Sequence, residues 1–80
     1  MKRKAPWTDF DGNDIYEGDT IVHPSGDRGN VYFLPDENAP TDQWRVFYAE
    51  YGAHHSRLCL QVGIRGRAVV LSSDTENNNG

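Results

Sequence analysis

A single cysteine, Cys59, stands in a chain of 80 residues, so no disulfide can staple the fold from within. That usage suits a reducing compartment, and a cytoplasmic location is expected. Long apolar runs are missing too. No stretch approaches the ~20 apolar residues that a membrane-spanning helix needs, and the basic start MKRKAPW is not followed by the apolar segment of a signal peptide. Basic residues are scarce in the first half. Between residues 6 and 42 Arg28 stands alone against nine acids: Asp9, Asp11, Asp14, Glu17, Asp19, Asp27, Asp36, Glu37 and Asp42. The formal net charge of −4 argues against non-specific phosphate binding by the molecule as a whole. Helical periodicity is absent as well, since no segment keeps an apolar stripe over two turns.

What remains is a small, all-β pattern. At this length one domain is the upper bound, burying roughly 60% of the unfolded chain's surface. The apolar fraction of 36% is low, but polar residues gather at the ends. Residues 1–5 are expected to be a disordered basic tail and 73–80 a disordered polar tail, leaving 6–72 as the folded part. Between 43 and 72 the charge balance reverses, with Arg45, Arg57, Arg65 and Arg67 against Glu50. Either the two halves neutralise each other across the fold, or the last strands make a basic face.

Strands and turns alternate along the chain. Pro6 and Trp7 end the basic tail, and Trp7 with Phe10 is expected to pack onto the domain, because aromatics in a free arm would be left in water. Residues 11–19, DGNDIYEGD, supply two turns and the apolar anchors Ile15 and Tyr16. A strand at Thr20–His23 stops at Pro24, Ser25 and Gly26. Asn30–Leu34 follows, with Val31 and Phe33 on one face and Tyr32 on the other. Residues 35–42, PDENAPTD, read as the longest loop. In Gln43–Ala49, Trp44, Val46 and Tyr48 alternate with Arg45, Phe47 and Ala49, which predicts a central strand or a ligand surface. A loop around Gly52 leads to a strand at Leu58–Val62, a hairpin turn at residues 63–66 and a last strand at Arg67–Leu71. Five short strands so spaced predict a small antiparallel barrel, closed or nearly so, because closure removes exposed edges.

Residues 7–22, and above all Asp14-Ile15-Tyr16-Glu17-Gly18-Asp19-Thr20-Ile21-Val22 after Asp11-Gly12-Asn13, resemble the opening of the YopX-like small proteins of bacteriophages and prophages. Gly29-Asn30-Val31-Tyr32 and Trp44-Arg45-Val46 are similar to them in layout. The resemblance is specific over sixteen residues, a fifth of the chain. It implies a five-stranded antiparallel SH3-like barrel, phage or prophage origin, the cytoplasm of a bacterial host, and a role that the family leaves largely unassigned.

Three constellations could carry chemistry. Asp9, Asp11 and Asn13 have the one-three-five spacing of a calcium loop, but Asp14 stands where that loop turns on a glycine and Thr20 where it needs a bidentate glutamate. Side chains capping backbone amides in a polar turn account for the same residues. His54, His55, Cys59 and the distant His23 are potential zinc ligands, yet adjacent histidines on a strand diverge and no metal-binding spacing occurs. Cys59 with either histidine could form a nucleophile and base, but no orienting group or oxyanion site is identifiable. The expectation is therefore a protein without cofactor, metal or catalytic residues.

The aromatics point to binding. Tyr16, Tyr32, Trp44, Phe47, Tyr48 and Tyr51 exceed what one inner barrel face holds, so several are expected at the surface. Tyr32, Trp44, Tyr48 and Tyr51, with Arg45, Arg65 and Arg67, are the candidate binding residues. The leading expectation is a non-enzymatic module that engages a host or phage protein, its acidic half meeting a basic partner. The alternative is nucleic-acid binding through the arginines of the later strands, with bases stacked on aromatics. No membrane contact is expected.

Overall fold

The structure, a computed structural model, describes residues 2–49 and 54–71. Among these residues seven strands run in chain order: β1 Lys4–Thr8, β2 Asp14–Tyr16, β3 Thr20–Val22, β4 Arg28–Phe33, β5 Trp44–Tyr48, β6 His54–Arg57 and β7 Val69–Val70. Strands β1 and β2 form a two-stranded antiparallel ribbon. The other five make one antiparallel sheet in the order β6-β5-β4-β3-β7. Among the described residues helix is confined to four-residue turns at α1 (Pro40–Gln43) and α2 (Gly63–Gly66) and to a 3₁₀ turn at Leu58–Leu60. No helix among the described residues is long and apolar enough to cross a membrane.

The DIYEGD stretch is structural. Asp19 folds its carboxylate back onto the Tyr16 amide (2.8 Å), while the Asp19 amide donates to Tyr16 O (3.0 Å). Gly18 sits at φ 92°, where a Cβ would be strained, and its amide donates to Val31 O at 2.8 Å. Val31 in turn donates to Asp19 O at 2.8 Å. One turn thus ends β2, starts β3 and is tied to β4.

Alternation places the core on one face of the sheet. In β4 and β5 the register pairs Gly29 with Tyr48, Val31 with Val46 and Phe33 with Trp44, and Val31, Trp44, Val46 and Tyr48 are buried with Ile21. Ala5 and Ile15 from the ribbon and Leu58, Val62 and Ala68 from the chain after β6 complete the core. Gly29 is fixed by a close approach. A Cβ there would collide with Val46 Cγ1 and lie 2.8 Å from Tyr48 Cε1, so two large neighbours fill the space that a side chain would need.

Asp9 is the buried acid of this core, 2% exposed. Its Oδ1 accepts from the amides of Asp11 (2.9 Å) and Asn13 (2.8 Å), and Oδ2 accepts from the Val70 amide (2.8 Å). The residue therefore closes the β1–β2 turn and fastens it to β7 across 61 positions of sequence. The capping account of the Asp9–Asn13 turn is the one that the geometry displays.

Several expectations are corrected. The sheet is not closed into a barrel: its ladder runs from β6 to β7, and no ladder joins those two edges among the described residues. The chain between them folds into the 3₁₀ turn and α2 instead of adding a long strand, and β7 has two residues. Leu58–Val62 is accordingly not a strand. A tight turn buries Leu58 and Val62 together and leaves Leu60 exposed, whereas polar His54–Arg57 pairs with β5. Lys4 and Ala5, expected in a disordered tail, lie in β1, with Ala5 in the core. Trp7 packs against the core as expected, but Phe10 is 48% exposed. The tail expected at 73–80 and the loop around Gly52 lie outside the described residues.

Candidate functional site

A cleft of about 180 Å³ opens where the β3–β4 turn meets the end of β5 and the start of β6. His23 and Asp27 come from the turn, Tyr48 from β5, His54 from β6, and Gln61 from the chain just past the 3₁₀ turn. The turn holds itself together. The His23 amide donates to Asp27 O and the Gly26 amide to His23 O, both at 2.8 Å. Ser25 bridges the side chains: its Oγ lies 2.9 Å from His23 Nδ1 and 2.9 Å from Asp27 Oδ2, while its amide donates to His23 Nδ1 at 3.2 Å. Serine thus stands between the histidine and the aspartate. In a hydrolytic triad the imidazole occupies that middle position and the acid orients it, so this string lacks the order a serine nucleophile requires.

The floor is Tyr48, which is 5% exposed. Its hydroxyl donates to Gln61 Oε1 at 2.8 Å, and Gln61 Nε2 donates to Ser56 Oγ at 2.8 Å, so the phenol is linked to β6. Burial, and secondly the negative charge of Asp27, push the phenol up to about 12 from 10.0. The His54 ring lies nearly parallel to the Tyr48 ring, 28° between planes and 6.2 Å between centroids. One side of the cleft is therefore acidic and another is an aromatic shelf.

The opposite face of the sheet carries a second group. The register sets Tyr32 beside Arg45 and Arg45 beside Arg57, with Phe47 beside His55 one step along. Tyr32 Oη lies 2.8 Å from His55 Nδ1, and the His55 ring packs on Phe47 at 4.8 Å between centroids. Asp42, on α1, partly neutralises this face: Arg57 reaches its Oδ1 through Nη2 (2.9 Å) and Nε (3.0 Å). Arg45 Nε donates to the Asp42 carbonyl at 2.7 Å.

The seven candidate binding residues do not form one site. Trp44 and Tyr48, expected among the exposed aromatics, are buried at 3% and 5% exposure, because alternation aims them into the core with Val46. Tyr32 and Arg45 share the outer face, half-buried. Arg65 is on α2, and Arg67 follows that helix at φ 60° with its guanidinium 5.9 Å above the exposed Phe10 ring. Tyr51 lies outside the described residues. His54 and His55 point to opposite sides of the sheet, as adjacent strand residues must, which separates them as potential ligands of one metal. No group of three or more His, Cys, Asp or Glu able to hold a metal occurs among the described residues.

Of the cleft residues, Tyr48 is a binding candidate from the sequence and His23 and His54 only potential zinc ligands, whereas Asp27 and Gln61 carry no such expectation and nothing in the sequence joins the five. The readable signal was HPSGD itself, whose ends must approach each other once it closes a hairpin. Compared with known proteins, the chain matches no family model, no curated protein and no solved structure.

Proposed function

We propose that this chain is a non-enzymatic protein-binding module that takes an extended segment of a partner along β6 and into the adjoining cleft. The observation that carries the reading is the open edge. The ladder of the five-stranded sheet ends at β6 among the described residues, with His54 at the start of that strand lining the cleft. An extended peptide adds to such an edge through its main chain and gains specificity from side-chain pockets beside it. The same opening in the ladder replaces the exposed-aromatic surface that Trp44 and Tyr48 were expected to provide. A YopX-like accessory factor of a phage or prophage, acting in the cytoplasm of its bacterial host, is the identity we propose with it, on the strength of residues 7–22. The finer reading of the fold as SH3-like is supported by its connectivity: the last strand, after a 3₁₀ turn, returns beside the first strand of the sheet.

Capture from bacterial lysate with nuclease present tests this, provided that the wild type is run beside Asp27→Lys and Phe47→Ala. The expected result is a defined protein retained by the wild type and Phe47→Ala and lost with Asp27→Lys. Recovery that Asp27→Lys leaves unchanged, or that nuclease abolishes, overturns the reading.

One observation favours nucleic acid as a second reading. Tyr32, Phe47, His55, Arg45 and Arg57 share the outer face, a combination of stacking surfaces and cations suited to single strands. Such binding must weaken steeply as salt rises. A salt-insensitive complex, or one unaffected by Arg45→Ala and Phe47→Ala together, excludes it.

A further inference from the structure

The lining of the cleft selects the kind of group that can enter. Asp27 is the one acid among the described lining residues, none of which is Lys or Arg. The Tyr48 hydroxyl spends its proton on Gln61 Oε1, so towards the cleft it offers lone pairs. The Asp27 carboxylate already accepts from Ser25 Oγ and has further acceptor capacity. The His54 ring lies over the Tyr48 ring at a shallow angle and makes an aromatic shelf along which an alkyl stem can lie. Burial first, and then the negative charge of Asp27, keep the Tyr48 phenol protonated, and the same negative charge favours a cation nearby. An anion entering the cleft would meet the Asp27 carboxylate. The volume of about 180 Å³ is equivalent to about six waters at ~30 Å³ each, room for a short alkyl stem and its charged head.

We propose that the cleft is a site for an organic cation, the ammonium or guanidinium head of a lysine or arginine carried by the partner segment. The inference rests on the protein-binding reading and names the chemistry that its partner must present. A lysine stem would lie along the Tyr48 and His54 rings with its head at Asp27, while the main chain on either side runs along β6. Association would then be anchored by one basic side chain, and the acidic balance of residues 6–42 would steer such a partner towards the module.

The test uses the full chain and a small probe. Amide resonances are followed during titration with n-butylammonium chloride, and in parallel with sodium butyrate and sodium chloride at matched ionic strength. Saturable shifts centred on His23, Asp27, Tyr48, His54 and Gln61 are expected with butylammonium alone. Asp27→Asn, which keeps an oxygen for Ser25, should weaken binding by about fivefold, the effect of losing one exposed charge pair. His54→Lys, a change at an exposed strand position, should abolish it by placing a cation at the mouth, and it serves as an independent check should Asp27→Asn disturb the turn. Absence of saturable shifts, equal shifts with butyrate, or undiminished binding by His54→Lys overturns the proposal. A captured partner that maps to β6 while butylammonium leaves the cleft unmoved overturns this inference alone, and the protein-binding reading stands.

Discussion

Replacing Asp9 with alanine should be among the most damaging single changes in the chain. Its carboxylate is buried and accepts three main-chain amides, from Asp11, Asn13 and Val70, at 2.8 to 2.9 Å. A hydrogen bond to a charged group contributes about 1.5–3 kcal/mol, and a donor left buried without a partner incurs its full desolvation cost. The three losses are unequal. The Asp11 and Asn13 amides belong to an exposed turn that water can enter, so each is discounted, whereas the Val70 amide faces the buried acid from β7. About 3 kcal/mol is the resulting estimate for Asp9→Ala. A domain of this size has of the order of 4–12 kcal/mol in total. Urea unfolding followed by tryptophan fluorescence is the assay, since Trp44 is buried and Trp7 packs on the core. With a urea slope of about 1 kcal/mol/M the midpoint should fall by about 3 M. Asp9→Asn should fall between the two, because a carboxamide can accept with one end only and presents a donor with the other. A midpoint shift below about 0.5 M for Asp9→Ala, or about 0.5 kcal/mol on that slope, would refute the argument that this acid ties the ribbon to the sheet.

The other expectations are briefer. Gly29→Ala should destabilise by about 1–3 kcal/mol through overpacking against Val46 and Tyr48, and a further Val46→Ala substitution should recover part of that loss; equal midpoints for wild type and Gly29→Ala would contradict it. The Tyr48 phenol ionises from pH 10.0 in the unfolded chain but only near 12 when folded, so the unfolded state releases its proton first. Stability should therefore be intact below pH 10 and decline as pH rises towards 12. Tyr48→Phe should flatten that decline, at a cost of about 1 kcal/mol at neutral pH for the lost bond to Gln61, both read from urea midpoints at pH 8 and 11. Asp42→Ala should change stability by no more than about 1 kcal/mol, because the pair with Arg57 is partly exposed. If the outer face binds single strands, the same substitution should tighten binding in a fluorescence anisotropy titration.

Local chemistry was legible in the sequence wherever a few adjacent residues decide the outcome. The turn at Tyr16–Asp19, the faces of Val31, Phe33 and Tyr32, and the alternation of Trp44, Val46 and Tyr48 all follow from turn residues and a period of two, and the sheet contains them. The same pattern left open which side of residues 43–49 faces inward, because both sides carry bulky groups. Register against Gly29 settled that, as only a residue without a side chain leaves room for Val46 and Tyr48. Leu58–Val62 could satisfy either a strand or a tight turn, since both bring Leu58 and Val62 to one side, and the choice fell to packing against β5 and α2. Closure was not legible either, being a relation between the first and last edges of the sheet. The cleft belongs to the same class: His23, Asp27, Tyr48, His54 and Gln61 span 39 positions and meet through strand pairing and the 3₁₀ turn that follows β6. Composition and period thus determined an all-β chain with its turns and most of its core, because those depend on neighbours in sequence. Which aromatics are buried, where the sheet stays open and what lines the cleft were decided by tertiary structure, because each depends on which distant strand lies opposite.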